Sequence, residues 1–138
     1  MSNERNQAIV RRLFQEVLDE RNLGVIPDIV AKNYVLHNLP PGLPKGIEGF
    51  REFIRMYHAG FPDLFIKIEE LLGESDQVGV RWTGQATHGG PFMGIPPTEK
   101  KIQITGIALV RIEGGRIAEE WTEMDNLGML RQMGVIPS

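Results

Sequence analysis

The sequence predicts an α+β fold in which helices cover one face of a curved antiparallel sheet. Three observations support this prediction: helical apolar spacing dominates residues 3–60, strand-like alternation dominates the chain after residue 64, and short turns join most of the consecutive strands. Because the helices precede the strands, they must pack together against one face of the sheet. We expect one domain over residues 1–138, with a cavity between the two layers.

Three helices are predicted before the sheet. The first covers Asn3–Arg21, where apolar residues recur every three or four positions. A short second helix is predicted at Pro27–Ala31, because proline is favoured in a first helical turn. The third covers Ile47–Gly60 and ends at its glycine. Between the last two, Tyr34–Asn38 is predicted to be extended, and the prolines and glycines of residues 39–46 predict a loop.

Four strands are predicted after the helices. They cover Leu64–Leu72, Gln77–Thr87, Lys101–Glu113 and Arg116–Met124, and alternating apolar residues define them. Short glycine-containing turns favour antiparallel pairing. A short closing helix is predicted over residues 127–135, where apolar residues return to helical spacing.

The composition indicates a soluble globular protein without an obvious macromolecular ligand. The 138 residues are 41% apolar and 24% charged, and the net charge is -3, which gives no reason to expect nucleic acid or an anionic membrane as partner. Cysteine is absent, which excludes disulfides, thiolate metal sites and cysteine nucleophiles. The first twenty residues are too acidic for a signal peptide, and no apolar run reaches membrane-spanning length. We expect a cytoplasmic protein.

The motifs of cofactor chemistry are missing from the sequence. The three histidines are dispersed and offer no ligand pair at helix or strand spacing, so no metal site is predicted. The glycines match no phosphate-binding loop, and no serine lies in a Gly-x-Ser-x-Gly elbow. We therefore expect neither a cofactor nor the usual serine hydrolase arrangement.

Carboxylates cluster where the last predicted strand ends. If this strand is regular from Arg116 onward, Trp121, Glu123 and Asp125 share one face, and Glu120 lies on the other. If Trp121 points inward, Asp125 and Glu123 lie beside apolar walls, which favours a carboxyl group that exchanges protons near neutral pH. The alternative is that Asp125 only caps the following helix.

Further candidates lie next to the loops or in the second strand. His37 precedes the proline-rich loop, where it could bond a substrate carbonyl, exchange a proton or simply bond loop backbone. Arg81 could hold an interior acid ionised or face solvent. Trp82 is expected in the cavity wall or core. His88 could reach the cavity from its loop or lie at the surface, and His58 is expected at the surface.

Several separated motifs then point to one family. They are Arg81-Trp82-Thr83-Gly84 leading to Thr87-His88, Gly94-Ile95-Pro96-Pro97-Thr98, Thr105-Gly106-Ile107, and Glu120-Trp121 followed by Asp125-x-Leu127-Gly128-x-Leu130-x-Gln132-x-Gly134. In this order they resemble the SnoaL-like polyketide cyclases, also called ester cyclases, of the nuclear-transport-factor-2-like superfamily. The resemblance covers nearly the whole chain.

The resemblance implies a cone-shaped α+β barrel, a highly curved sheet around the N-terminal helices with an open apolar pocket, assembled as a dimer or tetramer through the sheet. It implies acid–base catalysis without metal or cofactor by an aspartate of the last strand, which matches Asp125. That residue would remove a proton alpha to a carbonyl, and the enolate would attack a second carbonyl in an aldol ring closure.

The chain departs from the family at two positions. Glu99 stands where a glycine is frequent, and Ala108 stands where many members have an acidic residue. If the reaction needs a second acid besides Asp125, Glu123 would supply it, or His37 or His88 would serve in its place.

Three functions follow, in order of preference. The first is an enzyme acting on a small apolar or polyketide-like carbonyl compound, with Asp125 as base and His37 or Arg81 stabilising the enolate oxygen. Its pocket would be shaped by Trp82, Trp121, Phe92 and Met93, with His88 and Glu123 as further substrate contacts. The second is a non-catalytic small-molecule binder; isomerases and hydrolases also occur on this fold. The third is a protein interaction module that uses the open sheet face.

Overall fold

The structure is a computed structural model that describes residues 3–137. The chain forms, in order, α1 (Asn3–Arg12), a π-helix (Leu13–Asp19), a 3₁₀ turn (Leu23–Val25), α2 (Ile26–Ile29), β1 (Val30–Leu36), α3 (Gly46–Gly60), β2 (Phe65–Glu74), β3 (Gln77–Thr87), β4 (Lys101–Glu113), β5 (Arg116–Met124) and α4 (Asn126–Met133). No helix in this described part is long and apolar enough to cross a membrane.

The N-terminal third differs most from the sequence prediction. The predicted first helix is α-helical only as far as Arg12 and continues as a π-helix to Asp19. The predicted second helix ends at Ile29, two residues early, because Val30 already has extended backbone and begins β1. Strand pairing with β5 therefore overrides the helical tendency of the residues after Pro27.

The five strands form one open, curved sheet in the order β1-β5-β4-β3-β2. Strands β2 to β5 pair antiparallel, whereas β1 runs parallel to β5. The predicted α+β fold class is confirmed, and the sheet is mixed rather than purely antiparallel. The parallel pair brings the N-terminal third of the chain beside the last strand, which positions the site described below.

The helices bury the inner face of the sheet, and its outer face is open. Along β4, alternate residues from Ile102 to Ile112 are buried or inward, and those between them are mostly exposed. The π-helix contributes Leu13, Phe14 and Val17 to the same core. This alternation sets an apolar inner face apart from a mixed outer face.

A β-bulge interrupts the alternation in β5. Residues 111 and 112 of β4 are adjacent, yet their partners in β5 are Glu119 and Ile117. Ala118 is therefore an extra residue, and both Ile117 and Ala118 are buried. Beyond a one-residue bulge, every following side chain changes face relative to a regular strand.

The bulge reverses the predicted orientation of two residues. Glu120 lies on the inner face and is 6% exposed, whereas Trp121 lies on the outer face and is 37% exposed. Trp121 and Glu120 do lie on opposite faces, as predicted, but the expectation that Trp121 points inward was wrong, because Ile117 is inward and the extra residue Ala118 then turns Glu120 inward and Trp121 outward. Glu120 is thus the carboxylate that β5 places inside the protein.

Candidate functional site

An apolar cavity of about 80 Å³ lies between the helices and the inner face of the sheet. Its walls come from the π-helix, from α3 and α4, and from all five strands. Its apolar lining includes Phe14, Leu36, Phe53, Trp82, Ile104 and Met129. Since apolar surroundings penalise charge, any ionisable group in this lining has an altered proton affinity.

Glu120 is the buried acid of this cavity. The pairing of β1 with β5 places Leu36 opposite Glu120 and brings Tyr34 within reach. The Tyr34 hydroxyl donates a hydrogen bond to Glu120 Oε1 at 2.9 Å. Burial raises the pKa of Glu120 to about 7, and the bond from Tyr34 opposes this rise. At neutral pH both the carboxylic acid and the carboxylate are therefore well populated, as efficient proton transfer requires.

The hydroxyl group of Tyr34 stays protonated at neutral pH. Burial, followed by the nearby charge of Glu120, raises the pKa of Tyr34 well above its ordinary value. The phenol is therefore a permanent donor that holds one carboxyl oxygen of Glu120 in place.

Two polar residues of α3 also line the cavity. His58 Nε2 lies 2.8 Å from the carbonyl oxygen of Leu18 in the π-helix and donates to it. Burial lowers the pKa of His58, so the imidazole is neutral at neutral pH. The Tyr57 hydroxyl donates to Asn126 Oδ1 at 3.2 Å, and burial raises the pKa of Tyr57 to about 12. The prediction that His58 lies at the surface was wrong, because the end of α3 packs against the π-helix.

Three residues predicted to be functional lie together on the outer face. Arg81, Glu123 and Asp125 line a shallow groove of about 340 Å³, which is separate from the inner cavity apart from a shared wall. The carboxylate of Asp125 accepts a hydrogen bond from the Gly128 amide at 2.9 Å and so caps α4. Arg81 Nε donates to Glu70 Oε1 at 2.8 Å. Asp125 therefore caps α4, and a catalytic role for Asp125 stays a prediction.

His37 and Trp121 form a separate cluster on the outer face. Their rings stack with centroids 4.6 Å apart and planes 9° from parallel. His37 Nε2 lies 2.6 Å from Glu119 Oε2, and Arg111 Nε donates to Glu119 Oε1 at 2.7 Å. Arg111 and then His37 lower the pKa of Glu119. Neither His37 nor Trp121 is in the lining of the inner cavity.

The loop after β3 holds the remaining predicted residues. His88 is fully buried against the ring of Phe61, with centroids 5.5 Å apart, and its Nδ1 accepts from the Thr98 amide at 3.2 Å. Phe92 is 1% exposed and packs on Phe61, whereas Met93 is 68% exposed. None of the three predicted residues is in the lining of the cavity, whereas Phe61, whose ring packs against both His88 and Phe92, is.

Sequence reasoning missed Glu120, Tyr34 and His58 as cavity residues. The adjacent apolar pair Ile117-Ala118 is the signal that could have indicated a bulge and thus an inward Glu120. No local signal identifies Tyr34, since its contact spans 86 residues of sequence.

The chemistry available in the cavity is proton exchange. Among the described lining residues, Glu120 supplies the carboxyl group and His58 the imidazole. Within residues 3–137, no group of three or more His, Asp or Glu side chains is arranged to hold a metal ion. A carboxyl group with a pKa near neutrality is suited to act as a general acid or base.

Comparison with known proteins identifies the family to which this chain is similar. The family model for SnoaL-like polyketide cyclases matches residues 8–133. Among solved structures, TsrD from Streptomyces laurentii is 28% identical with a TM-score of 0.89, covering 99% of both chains. IdmH from Streptomyces antibioticus, a proposed polyketide cyclase, is 30% identical with a TM-score of 0.82, covering 94% of this chain and 98% of its own.

A more distant structure shows the fold alone. AclR from Streptomyces galilaeus, a proposed hydroxylase, is 22% identical with a TM-score of 0.87, covering 99% of this chain and 85% of its own. A search of curated proteins finds no match. With the family model matching residues 8–133 of 138, the chain belongs to the SnoaL-like polyketide cyclase family.

Proposed function

We propose that this protein catalyses proton transfer at the carbon next to a carbonyl group, in an apolar substrate bound in the inner cavity, with Glu120 as the acid–base group. The observation that carries the proposal is a carboxyl group with a pKa of about 7 in an apolar cavity. Aldol-type ring closure begins with such a proton transfer, and membership of the cyclase family makes it the preferred reaction.

Tyr34 supports this role by controlling the proton affinity of Glu120. Burial alone would favour the neutral acid, and the hydroxyl of Tyr34 stabilises the carboxylate. A hydrogen bond to a charged group contributes about 1.5–3 kcal/mol. Tyr34 thus keeps a reactive carboxylate present at neutral pH while leaving the second carboxyl oxygen for the substrate.

Exchange of α-hydrogens for deuterium tests the proposal. Cyclopentanone in deuterated buffer serves as the probe, and proton NMR follows the loss of its α-hydrogen signal. We expect wild-type protein to accelerate exchange and Glu120→Gln, which keeps the shape and removes the base, to lower the rate by about 10²-fold or more. Glu74→Gln, an exposed change at the end of β2, is the matched control and should exchange like wild type.

The same assay distinguishes Glu120 from the base predicted by the sequence. Asp125→Asn retains an oxygen that can cap α4 and removes the carboxylate from the outer groove. If Asp125→Asn abolishes exchange while Glu120→Gln does not, the reaction belongs to the outer groove and our assignment fails.

The second candidate function is small-molecule binding without turnover. Most side chains that line the cavity are apolar, and Glu120 provides the carboxyl group among the described lining residues. Such a lining favours binding of an apolar molecule even where no reaction follows. Saturable binding of cyclopentanone with no accelerated exchange would support this function and exclude the first.

We further propose that the outer sheet face pairs two copies of the chain. Leu72, Ile107, Leu109 and Trp121 project from this face and are 70%, 59%, 40% and 37% exposed. Leu109 lies directly opposite Trp121 in the sheet, and contiguous apolar patches of this kind mark interaction surfaces.

Sedimentation velocity tests this pairing. Leu109→Lys should shift a wild-type dimer to monomer, whereas Glu52→Lys, an exposed change on α3, should not. A wild-type protein that is monomeric throughout the concentration series would refute the pairing.

A further inference from the structure

We propose that the Thr122 hydroxyl donates a hydrogen bond to the carbonyl oxygen of the substrate and stabilises the enolate that forms when Glu120 removes the neighbouring proton. This inference rests on the proposed use of the inner cavity for proton transfer. Glu120 takes the α-proton, the electron pair of the broken C–H bond delocalises onto the carbonyl oxygen, and threonine keeps its own proton as a hydrogen bond. Such a reaction needs a donor at that oxygen, and the two donors predicted from the sequence, His37 and Arg81, are not in the cavity lining.

Thr122 and Glu120 lie on one strand at a spacing that suits this chemistry. They are two positions apart in β5, so both side chains are on the inner face, and both line the cavity. Residues two apart in a strand are separated by about 6.5 Å. A carbonyl compound spans this separation when its α-carbon lies about 3 Å from the carboxylate and its oxygen about 2.8 Å from the hydroxyl oxygen.

The hydroxyl and one carboxyl oxygen are both available to a ligand. Within residues 3–137, the Thr122 hydroxyl takes part in no hydrogen bond. The Tyr34 hydroxyl donates to Oε1 of Glu120, and Oε2 of that residue has no bond within the same range. Hydroxyl groups in apolar surroundings are stabilised by a partner. A bound carbonyl oxygen would supply this partner.

The neighbours of Thr122 and Glu120 in the sheet offer no competing polar group. On β4, Ala108 lies opposite Thr122 and Val110 opposite Glu120, and both are buried. On β1, Leu36 lies opposite Glu120. Their side chains have no polar atoms, so none of them can bind the hydroxyl or replace it as donor.

The other donors of the described lining are engaged or distant. The Tyr57 hydroxyl donates to a side chain of α4, and His58 donates to a carbonyl oxygen of the π-helix. Trp82 belongs to β3, two strands from β5, which is about 10 Å across the sheet. Thr122 is thus the donor that lies beside the base.

Asn38 holds the backbone of Thr122 in place. The pairing of β1 with β5 ends at Leu36 and Glu120, and beyond it the side chain of Asn38 continues the ladder. Its Oδ1 accepts from the Thr122 amide at 3.1 Å, and its Nδ2 donates to the Thr122 carbonyl oxygen. The His37 amide donates to the Glu120 carbonyl oxygen at 3.0 Å. Donors held in position in this way stabilise developing charge more effectively, because they need not reorganise during the reaction.

Deuterium exchange into cyclopentanone tests the donor. Thr122→Val keeps the shape of the side chain and removes the hydroxyl. We expect it to lower kcat for exchange by about 10²-fold with little change in KM, because the hydrogen bond strengthens as charge develops on the oxygen. Thr122→Ser keeps a hydroxyl and should retain most of the rate. Thr105→Val, an exposed change on the outer face of β4, is the matched control and should exchange like wild type.

Infrared spectroscopy of bound cyclopentanone measures the hydrogen bond itself. A donor lowers the stretching frequency of the carbonyl group, and isotope editing with a carbon-13 carbonyl separates this band from those of the protein. We expect a lowered frequency in wild type and Thr122→Ser, and a frequency in Thr122→Val close to that of the ketone in an alkane. If the valine variant does not fold, Thr122→Ala compared with Thr122→Ser isolates the hydroxyl in both measurements.

The outcomes distinguish the donor from the base. If Glu120→Gln stops exchange and Thr122→Val exchanges like wild type, the proposed function stands and the donor assignment is refuted. If Glu120→Gln exchanges like wild type, the proposed function fails, and the carbonyl frequency alone then decides the donor: an unchanged frequency in Thr122→Val refutes it. Equal losses of rate in the valine and serine variants also refute the donor. Absence of both binding and exchange in wild type refutes both proposals.

Discussion

The substitution Glu120→Gln is expected to change how the stability of this protein depends on pH. Glutamine keeps the size of the side chain and an oxygen that accepts from Tyr34, but it cannot ionise. In wild-type protein the folded state binds the Glu120 proton with a pKa of about 7, compared with an ordinary value of 4.5. The folded state therefore loses stability, relative to the variant, as the pH rises from 4.5 to about 7, because the unfolded chain releases this proton at lower pH than the folded protein does.

The sign and size of the effect follow from proton linkage. A group whose pKa is raised on folding contributes stability that is fully present below its unfolded pKa and is lost as the pH rises through its folded pKa. A shift from 4.5 to about 7, at about 1.36 kcal/mol per unit, corresponds to about 3 kcal/mol. The loss should fall mostly between about pH 5 and pH 8.

Urea unfolding at a series of pH values measures this loss. The informative quantity is the free energy of unfolding of wild type minus that of Glu120→Gln, at equal protein concentration. Other titrating groups, such as His58 with its lowered pKa, affect both proteins and cancel in the difference. Glu74→Gln, exposed at the end of β2, should give a flat difference curve. A flat curve for Glu120→Gln as well would refute the raised pKa and the proposed catalytic role.

Three further predictions concern the neighbours of the site. Tyr34→Phe removes the hydrogen bond to the cavity carboxyl group and should raise its pKa by about one to two units, as carbon NMR of labelled glutamate would show; an unchanged titration contradicts this. Asp125→Ala should destabilise the protein by about 1 kcal/mol in urea unfolding and Asp125→Asn by much less, because asparagine still caps α4; equal losses contradict capping. Gly106→Ala introduces a methyl group into the indole of Trp82 and should cost about 1–3 kcal/mol, whereas Gly79→Ala on the outer face, with no close neighbour there, should not.

The sequence predicted the antiparallel strands well because their signal is local. The observed bounds of β3, β4 and β5 match the prediction, and α3 begins only one residue earlier than predicted. Alternation and helical spacing follow directly from side-chain burial on one face. The start of β1 was predicted less well, because its strand conformation depends on pairing with a distant segment, β5.

The candidate site was predicted only in part, for a related reason. Trp82 lies in the cavity wall, but the acid inside is Glu120 rather than Asp125. Counting by twos from the inward Ile117 assigns both residues to the wrong side, because Ala118 adds one position to the strand.

The sequence by itself thus determined the α+β fold, the number and placement of the antiparallel strands, and the presence of carboxylates near the end of β5. Only the tertiary structure decided which of these carboxylates faces the cavity. A bulge is defined by pairing between strands, and the donor that meets Glu120, Tyr34, arrives through a parallel pair between distant segments. Neither arrangement leaves a periodic pattern in the residues themselves.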